Sequence, residues 1–283
     1  MQQTVPFMQV DVFSAVPLRG NPLAIVFEAE GLSADQMQAI ARWTNLSETA
    51  FVLPSEVADY RLRIYTPNCE LPFAGHPTIG SAHAVLEHGL VDTRTFTMEC
   101  ERGIITLQQQ PEEGGLLAWL DAPQRIGPET APATVSAALE LDMPLQTPTI
   151  FDVGPVWLVD RMESVKALYD VAPDMGALAA VSVGRTWSGV TLYAADDAGA
   201  IHVRSFAPSE GIDEDPVCGS GNLCVLGHMH AYDDGLVRPG YSHVAHQGRA
   251  LGRDGRVRVV WGEDGKVGLG GQSVTAIKGT LRV

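Results

Sequence analysis

The chain has 283 residues, 45% of them hydrophobic, and a net charge of −15 at pH 7. That hydrophobic share supports a packed core and excludes a disordered chain, while the acidic balance repels phosphate backbones and anionic lipid. Nucleic acid and membrane surfaces are therefore not expected partners, although a helix start can still attract a small acidic ligand locally.

The amino-terminal MQQTVPFMQV lacks the basic flank and apolar run of a signal peptide. No stretch reaches the ~18 consecutive apolar residues of a membrane helix. A cytoplasmic location is expected, with Cys69, Cys100, Cys218 and Cys224, which form no CxxC pair, as reduced thiols.

In chain order, alternating patterns bounded by turn residues predict strands at 4–13 and 24–27. A helix follows at 32–42, with Ser33 as its N-cap, then strands at 50–53 and 60–65. The segment ELPFAGHP, Glu70 to Pro77, then leads into an apolar helix at 78–86 that Gly89 ends. Strands are expected at 95–99, 103–109 and 116–120, followed by a Pro- and Ala-rich linker at 121–134. The second part offers strands at 157–159, 191–194, 201–206 and 257–261, with a helix near 174–181. Its DEDPVCGSG segment, Asp213 to Gly221, precedes a helix at 222–231 that Gly235 closes.

The second part echoes the first. Asp11 and Asp152 are 141 positions apart, and so are Arg63 and Arg204. At the same offset the strand at 50–53 falls on 191–194, and the helix at 32–42 on the region around 174–181. A constant offset through four matches points to an internal duplication. After each arginine segment the plan is strand, tight turn, helix. Each helix start presents backbone N–H groups beside glycines, which makes an anion or oxyanion site. Two similar α+β halves with a site in the cleft between them are expected.

The segments VDVFSAVPLRGNPLAIV, NLSETAFVLP, YRLRIYTPNCELPFAGHPTIGSAHAVL, EDPVCGSGN and GLGGQSVTAIKGTLRV resemble the PhzF-like phenazine-biosynthesis family, which has the diaminopimelate-epimerase-like fold. The resemblance implies two pseudo-symmetric halves, each a curled, mostly antiparallel sheet around a central helix. It assigns 1–120 plus 265–283 to the first half and 135–264 to the second, with 121–134 between them. It also implies a homodimer that shifts protons on small carboxylate-bearing molecules without metal or organic cofactor.

Epimerases of the wider fold resemble two-thiol machines, with a cysteine at each helix start. Here the second motif keeps Cys218, whereas the first has Gly75 and His76. In the family the acid–base work falls on the glutamate of NLSET, which is Glu48; its partner at offset 141 is Gly189. A glutamate can do this work if burial lifts its pKa toward working pH, so an upward shift is looked for at Glu48. The resemblance also gives His76 and Asp215 roles in holding protons and substrate, and makes Gly75, Gly219, Ser220 and Cys218 substrate-binding. His228 and His230, two apart on a helix, face different ways, so no metal site is expected. Two rival readings stand beside the isomerase: a one-thiol racemase or dehydratase using Cys218, and a non-catalytic binding protein on the same fold.

Overall fold

A computed structural model describes residues 4–110, 115–233 and 235–283. The chain is a mixed α+β protein that divides into two compact units, Met1–Leu120 with Leu269–Val283, and Asp121–Gly268.

The first unit contains β1 (Thr4–Val12), β2 (Asn21–Val26), α1 (Ala34–Thr44), β3 (Thr49–Leu53), β4 (Tyr60–Tyr65), β5 (Glu70–Leu71), α2 (Gly75–His88), β6 (Thr95–Cys100), β7 (Gly103–Gln110) and β8 (Gly115–Asp121). The second contains β9 (Gln124–Pro128), α3 (Pro132–Ala138), β10 (Thr149–Asp152), β11 (Val156–Arg161), α4 (Val165–Asp170), α5 (Met175–Ser182), β12 (Gly189–Ala195), β13 (Ile201–Ala207), β14 (Ile212–Asp215), α6 (Gly219–Tyr232), β15 (Ser242–Gln247), β16 (Gly255–Trp261) and β17 (Lys266–Gly271). The last strand, β18 (Ser273–Arg282), returns to the first unit and runs antiparallel to β1.

Each unit repeats one pairing plan. In the first, β1–β2 and β3–β4 are antiparallel, whereas β2–β3 and β4–β6 are parallel. In the second, β10–β11 and β12–β13 are antiparallel, whereas β11–β12 and β13–β15 are parallel. Local devices repeat as well. The Ser33 side chain caps α1 at Gln36, and Asp174, 141 residues later, caps α5 at Ala177. The Asp11 carboxylate accepts the Arg19 and Gly20 N–H groups, and Asp152 accepts that of Gly154, each fixing the turn after its strand.

The segment at 121–134, expected as a linker, carries β9 and the start of α3. Its Gly127 and Pro128 read as loop residues, but β9 pairs with β10 through a register shift at Ile150/Phe151, where irregular backbone is tolerated.

Helices α2 and α6 are the central helices of their units, and both are largely buried. Close packing sets their glycines. A Cβ on Gly80 would lie 2.6 Å from Leu23 Cδ2 and 2.7 Å from Val12 Cγ2, so only glycine lets α2 approach β1 and β2. Helix α2 ends at Gly89, whose φ of 79° is left-handed and suits glycine.

Candidate active site

Glu48 sits in the short segment between α1 and β3, a position set from both sides. Asn45 closes α1 in the left-handed conformation, and Thr49 is locked into β3 opposite Tyr65 and bonded through its hydroxyl to Thr44. His76 is the second residue of α2, held by the burial of that helix start. Their side chains meet: His76 Nδ1 lies 3.2 Å from Glu48 Oε2, with the imidazole 5% and the carboxylate 15% exposed.

Burial is the strongest influence on the Glu48 pKa and pushes it up. The charge of His76 and its hydrogen bond, with the Ser47 hydroxyl adding to them, outweigh burial and leave the carboxyl below its ordinary value. The expected upward shift is therefore corrected. Burial alone would have produced it, but the imidazole 3.2 Å away reverses the sign. Glu48 is ionised at neutral pH, which is the state a base needs.

The structure brings a second set of the named residues together within the other unit. Asp215 ends β14, and its Oδ1 accepts the Val217 N–H at 3.0 Å. Cys218 is the N-cap of α6, and its Sγ accepts the Gly221 N–H at 3.2 Å. Gly219 and Ser220 form the first two positions of that helix, with Ser220 Oγ 3.5 Å from Cys218 Sγ. Burial first, and then the charge of Asp215, push the Cys218 thiol well above its usual range. A helix start that favours thiolate was the basis for weighing a thiol base; here burial defeats it.

The two helix starts differ in how they are capped. Helix α2 begins after Ala74, whose side chain makes no capping hydrogen bond. Ala74 also occupies the N-cap position that Cys218 holds on α6, so the thiol has no counterpart in the first unit.

Two residues that hold the second cluster were not singled out from sequence. Gln247 Oε1 accepts the Cys218 N–H at 3.0 Å and an Asn222 Nδ2–H at 2.8 Å, while its own amide donates to the Asp215 carbonyl. It lies on β15, a strand whose SHVAHQ pattern gave no strand signal. Trp157, on β11, donates its indole N–H to Ser220 Oγ at 2.9 Å. The nearest sequence signal was the strand expected at 157–159. Among the described residues no group of three or more His, Cys, Asp or Glu side chains is arranged to hold a metal ion. His228 instead bonds Tyr193 and Thr147 inside the second unit.

A family model described as phenazine biosynthesis-like protein matches residues 10–279. The chain belongs to that family. Among curated relatives, antisense-enhancing sequence 1 of Schizosaccharomyces pombe is 37% identical over 96% of this chain and 97% of its own length. The trans-2,3-dihydro-3-hydroxyanthranilate isomerase of Pseudomonas chlororaphis is 32% identical over 87% of each chain. Among solved structures, a PhzF-family phenazine biosynthesis protein from Bacillus anthracis superposes with a TM-score of 0.86 at 24% identity, covering 99% of this chain and 100% of that one. The phenazine biosynthesis-like family is thus an isomerase family, and this chain is one of its enzymes. Its α+β fold, with one central helix in each unit, is the fold of those relatives. No helix among the described residues is long and apolar enough to cross a membrane.

Proposed function

We propose that the protein is a cofactor-independent isomerase that moves a proton on a small carboxylate-bearing substrate, with Glu48 as the general base and then the general acid. In the first step Glu48 takes a proton from a carbon near the carboxylate, and the C–H electron pair passes into an enolate-like system. In the second the same carboxyl returns the proton to another carbon, so atoms and charge balance. His76 holds the carboxylate ionised and shares the proton. The uncapped start of α2 at Gly75 supplies N–H groups to the developing negative charge. Asp215, Gly219, Ser220 and Cys218 bind and orient the substrate. By analogy with the Pseudomonas chlororaphis relative, the substrate class is a cyclic amino- or hydroxy-carboxylate. The working form is a homodimer, as the family resemblance implies.

The observation that carries this reading is the Glu48–His76 pair: a mostly enclosed carboxylate kept ionised by an imidazole at the start of a buried helix. Glu48→Gln preserves size and hydrogen bonding but cannot take a proton. Loss of general acid–base catalysis costs about 10²–10⁴ in rate, or about 3–5 kcal/mol of barrier. We expect kcat/KM to fall by at least 10² in a protein that stays folded at the assay temperature. Retention of more than a tenth of wild-type turnover would remove Glu48 from the role of base.

The one-thiol reading is disfavoured by the buried, protonated state of Cys218. Cys218→Ser separates the two. A thiol mechanism loses turnover entirely, whereas the Glu48 mechanism leaves Cys218→Ser far more active than Glu48→Gln. A non-catalytic binding protein would show no proton exchange in D₂O with any cyclic carboxylate.

A further inference from the structure

The two units make a similar contact with different chemistry. In the first, Glu48 reaches the second residue of α2, His76; in the second, Trp157 reaches the second residue of α6, Ser220. The position matching Glu48 at offset 141 is Gly189, which pairs with Trp157 across parallel strands β11 and β12. A Cβ on Gly189 would lie 2.5 Å from a Trp157 ring carbon and 2.5 Å from the Phe206 carbonyl oxygen. The indole has therefore taken the space that a side chain at 189 would need. One step before the Ala24↔Thr49 pair, Leu23 stands in the first unit where Trp157 stands in the second.

This exchange has a chemical consequence. An indole N–H is only a donor, so in the 2.9 Å bond Ser220 Oγ must accept. One lone pair of the hydroxyl is then committed, its rotor is restrained, and its own hydrogen is left to donate. Within the protein the neighbouring acceptor is the Cys218 sulfur at 3.5 Å, a weak one, and that sulfur already receives the Gly221 N–H. Ser220 itself is only half-buried, so an incoming anion can reach it. Gln247, bonded to the Cys218 N–H and the Asp215 carbonyl, fixes the backbone on which the hydroxyl stands.

We infer that Trp157 is a positioning residue for substrate binding: its indole N–H sets the Ser220 hydroxyl as a fixed donor to the carboxylate of the substrate. The inference rests on the proposed isomerase reading, in which Ser220 binds that carboxylate. It also accounts for the lack of a base at the matching place in the second unit, because an indole takes no proton.

The test compares Trp157→Phe, Ser220→Ala and the double variant. Phenylalanine keeps an aromatic ring over Gly189 and removes only the N–H. The kinetic probe is trans-2,3-dihydro-3-hydroxyanthranilate, and the binding probe is 3-hydroxyanthranilate, a non-isomerising ring carboxylate. Trp157→Phe is expected to raise KM and the binding-probe Kd about tenfold, with kcat moving less than twofold. Ser220→Ala should do at least as much, and the double variant no more than Ser220→Ala alone. In ¹⁵N-indole spectra the resonance lost in Trp157→Phe should shift in Ser220→Ala and on addition of 3-hydroxyanthranilate.

The inference is overturned if Ser220→Ala weakens binding while Trp157→Phe does not, or if the two effects add. It is equally overturned if kcat falls with KM unchanged. Wild-type protein that neither isomerises the first probe nor binds the second refutes the proposed substrate class itself, and this inference with it. Wild-type activity with a neutral Ser220→Ala instead removes Ser220 from carboxylate binding and leaves the Glu48 reading standing.

Discussion

Replacing His76 with asparagine separates the charge of the imidazole from its hydrogen bond. Asparagine keeps an N–H donor near the place of Nδ1 but cannot be protonated. When the imidazole is protonated, two unit charges at the observed 3.2 Å attract by about 5 kcal/mol at an effective dielectric of about 20. That attraction, with the hydrogen bonds, exceeds the burial penalty, because the Glu48 carboxyl ends below its ordinary value. Without the charge, burial is opposed by hydrogen bonds alone and the carboxyl moves upward.

The sign of the linked stability follows. In the wild-type protein the depressed pKa contributes stability above the unfolded pKa, and this is lost as pH falls through the lower folded value. In His76→Asn the higher folded pKa shrinks that contribution, so the deficit against the wild type is fullest at neutral pH and disappears on acidification. The variant should be about 1–3 kcal/mol less stable at pH 7, between the values for exposed and fully buried pairs. Urea unfolding from pH 3 to pH 8 should show that deficit narrowing toward zero as pH drops through the carboxylate range. The acid limb of kcat/KM should move to higher pH in the variant. A deficit that stays constant or widens on acidification, or an acid limb at or below that of the wild type, would refute the claim that His76 keeps Glu48 ionised.

Two further outcomes follow from burial. Arg63 and Arg204 make the same fork onto Glu70 and Glu214 in the two units, but the Arg204 pair is 7% and 8% exposed and the Arg63 pair 24% and 33%. Arg204 also donates to the Leu168 and Val171 carbonyls. Arg204→Met should cost about 3–5 kcal/mol and Arg63→Met under about 1 kcal/mol by chemical denaturation; equal losses would contradict this. Iodoacetamide at pH 8 should alkylate the exposed Cys69 in native protein and leave the buried Cys218 intact until denaturant is added. Rapid native labelling of Cys218, read by peptide mass mapping, would revive the thiol mechanism.

Much of the fold was legible because its signals are local. The Ser33 cap, the 3.6-residue spacing of Met37, Ile40 and Ala41, and the alternation of β4 and β13 each act within a few residues. The strand β9 escaped because Gly127 and Pro128 carry loop signals, and only its partner β10 makes it a strand. At the site, Glu48 and His76 were legible through motif and offset. Their mutual effect on charge was not, because the sign of a pKa shift depends on a 3.2 Å distance between residues 28 positions apart. Trp157 was invisible as a site residue for the same reason. An indole 63 positions from Ser220 looks like core until the fold pairs β11 with β12.

The pattern of what the duplication kept and what it changed bears on mechanism. The turn anchors Asp11 and Asp152, the caps Ser33 and Asp174, and the arginine forks all persist in both units. These hold backbone geometry within each unit. The departures gather at the start of the central helix and the strand beside it: Glu48 against Gly189, His76 against Ser220, Ala74 against Cys218, Leu23 against Trp157. In the first unit Glu48 and His76 supply groups that can carry a proton. In the second, the indole of Trp157 fills the space a side chain at 189 would need, and burial keeps the Cys218 thiol protonated. A symmetric two-base reaction needs both helix starts to carry an active acid–base group. The carboxylate–imidazole pair at the first helix start is what the proposed transfer of one proton by a single base requires.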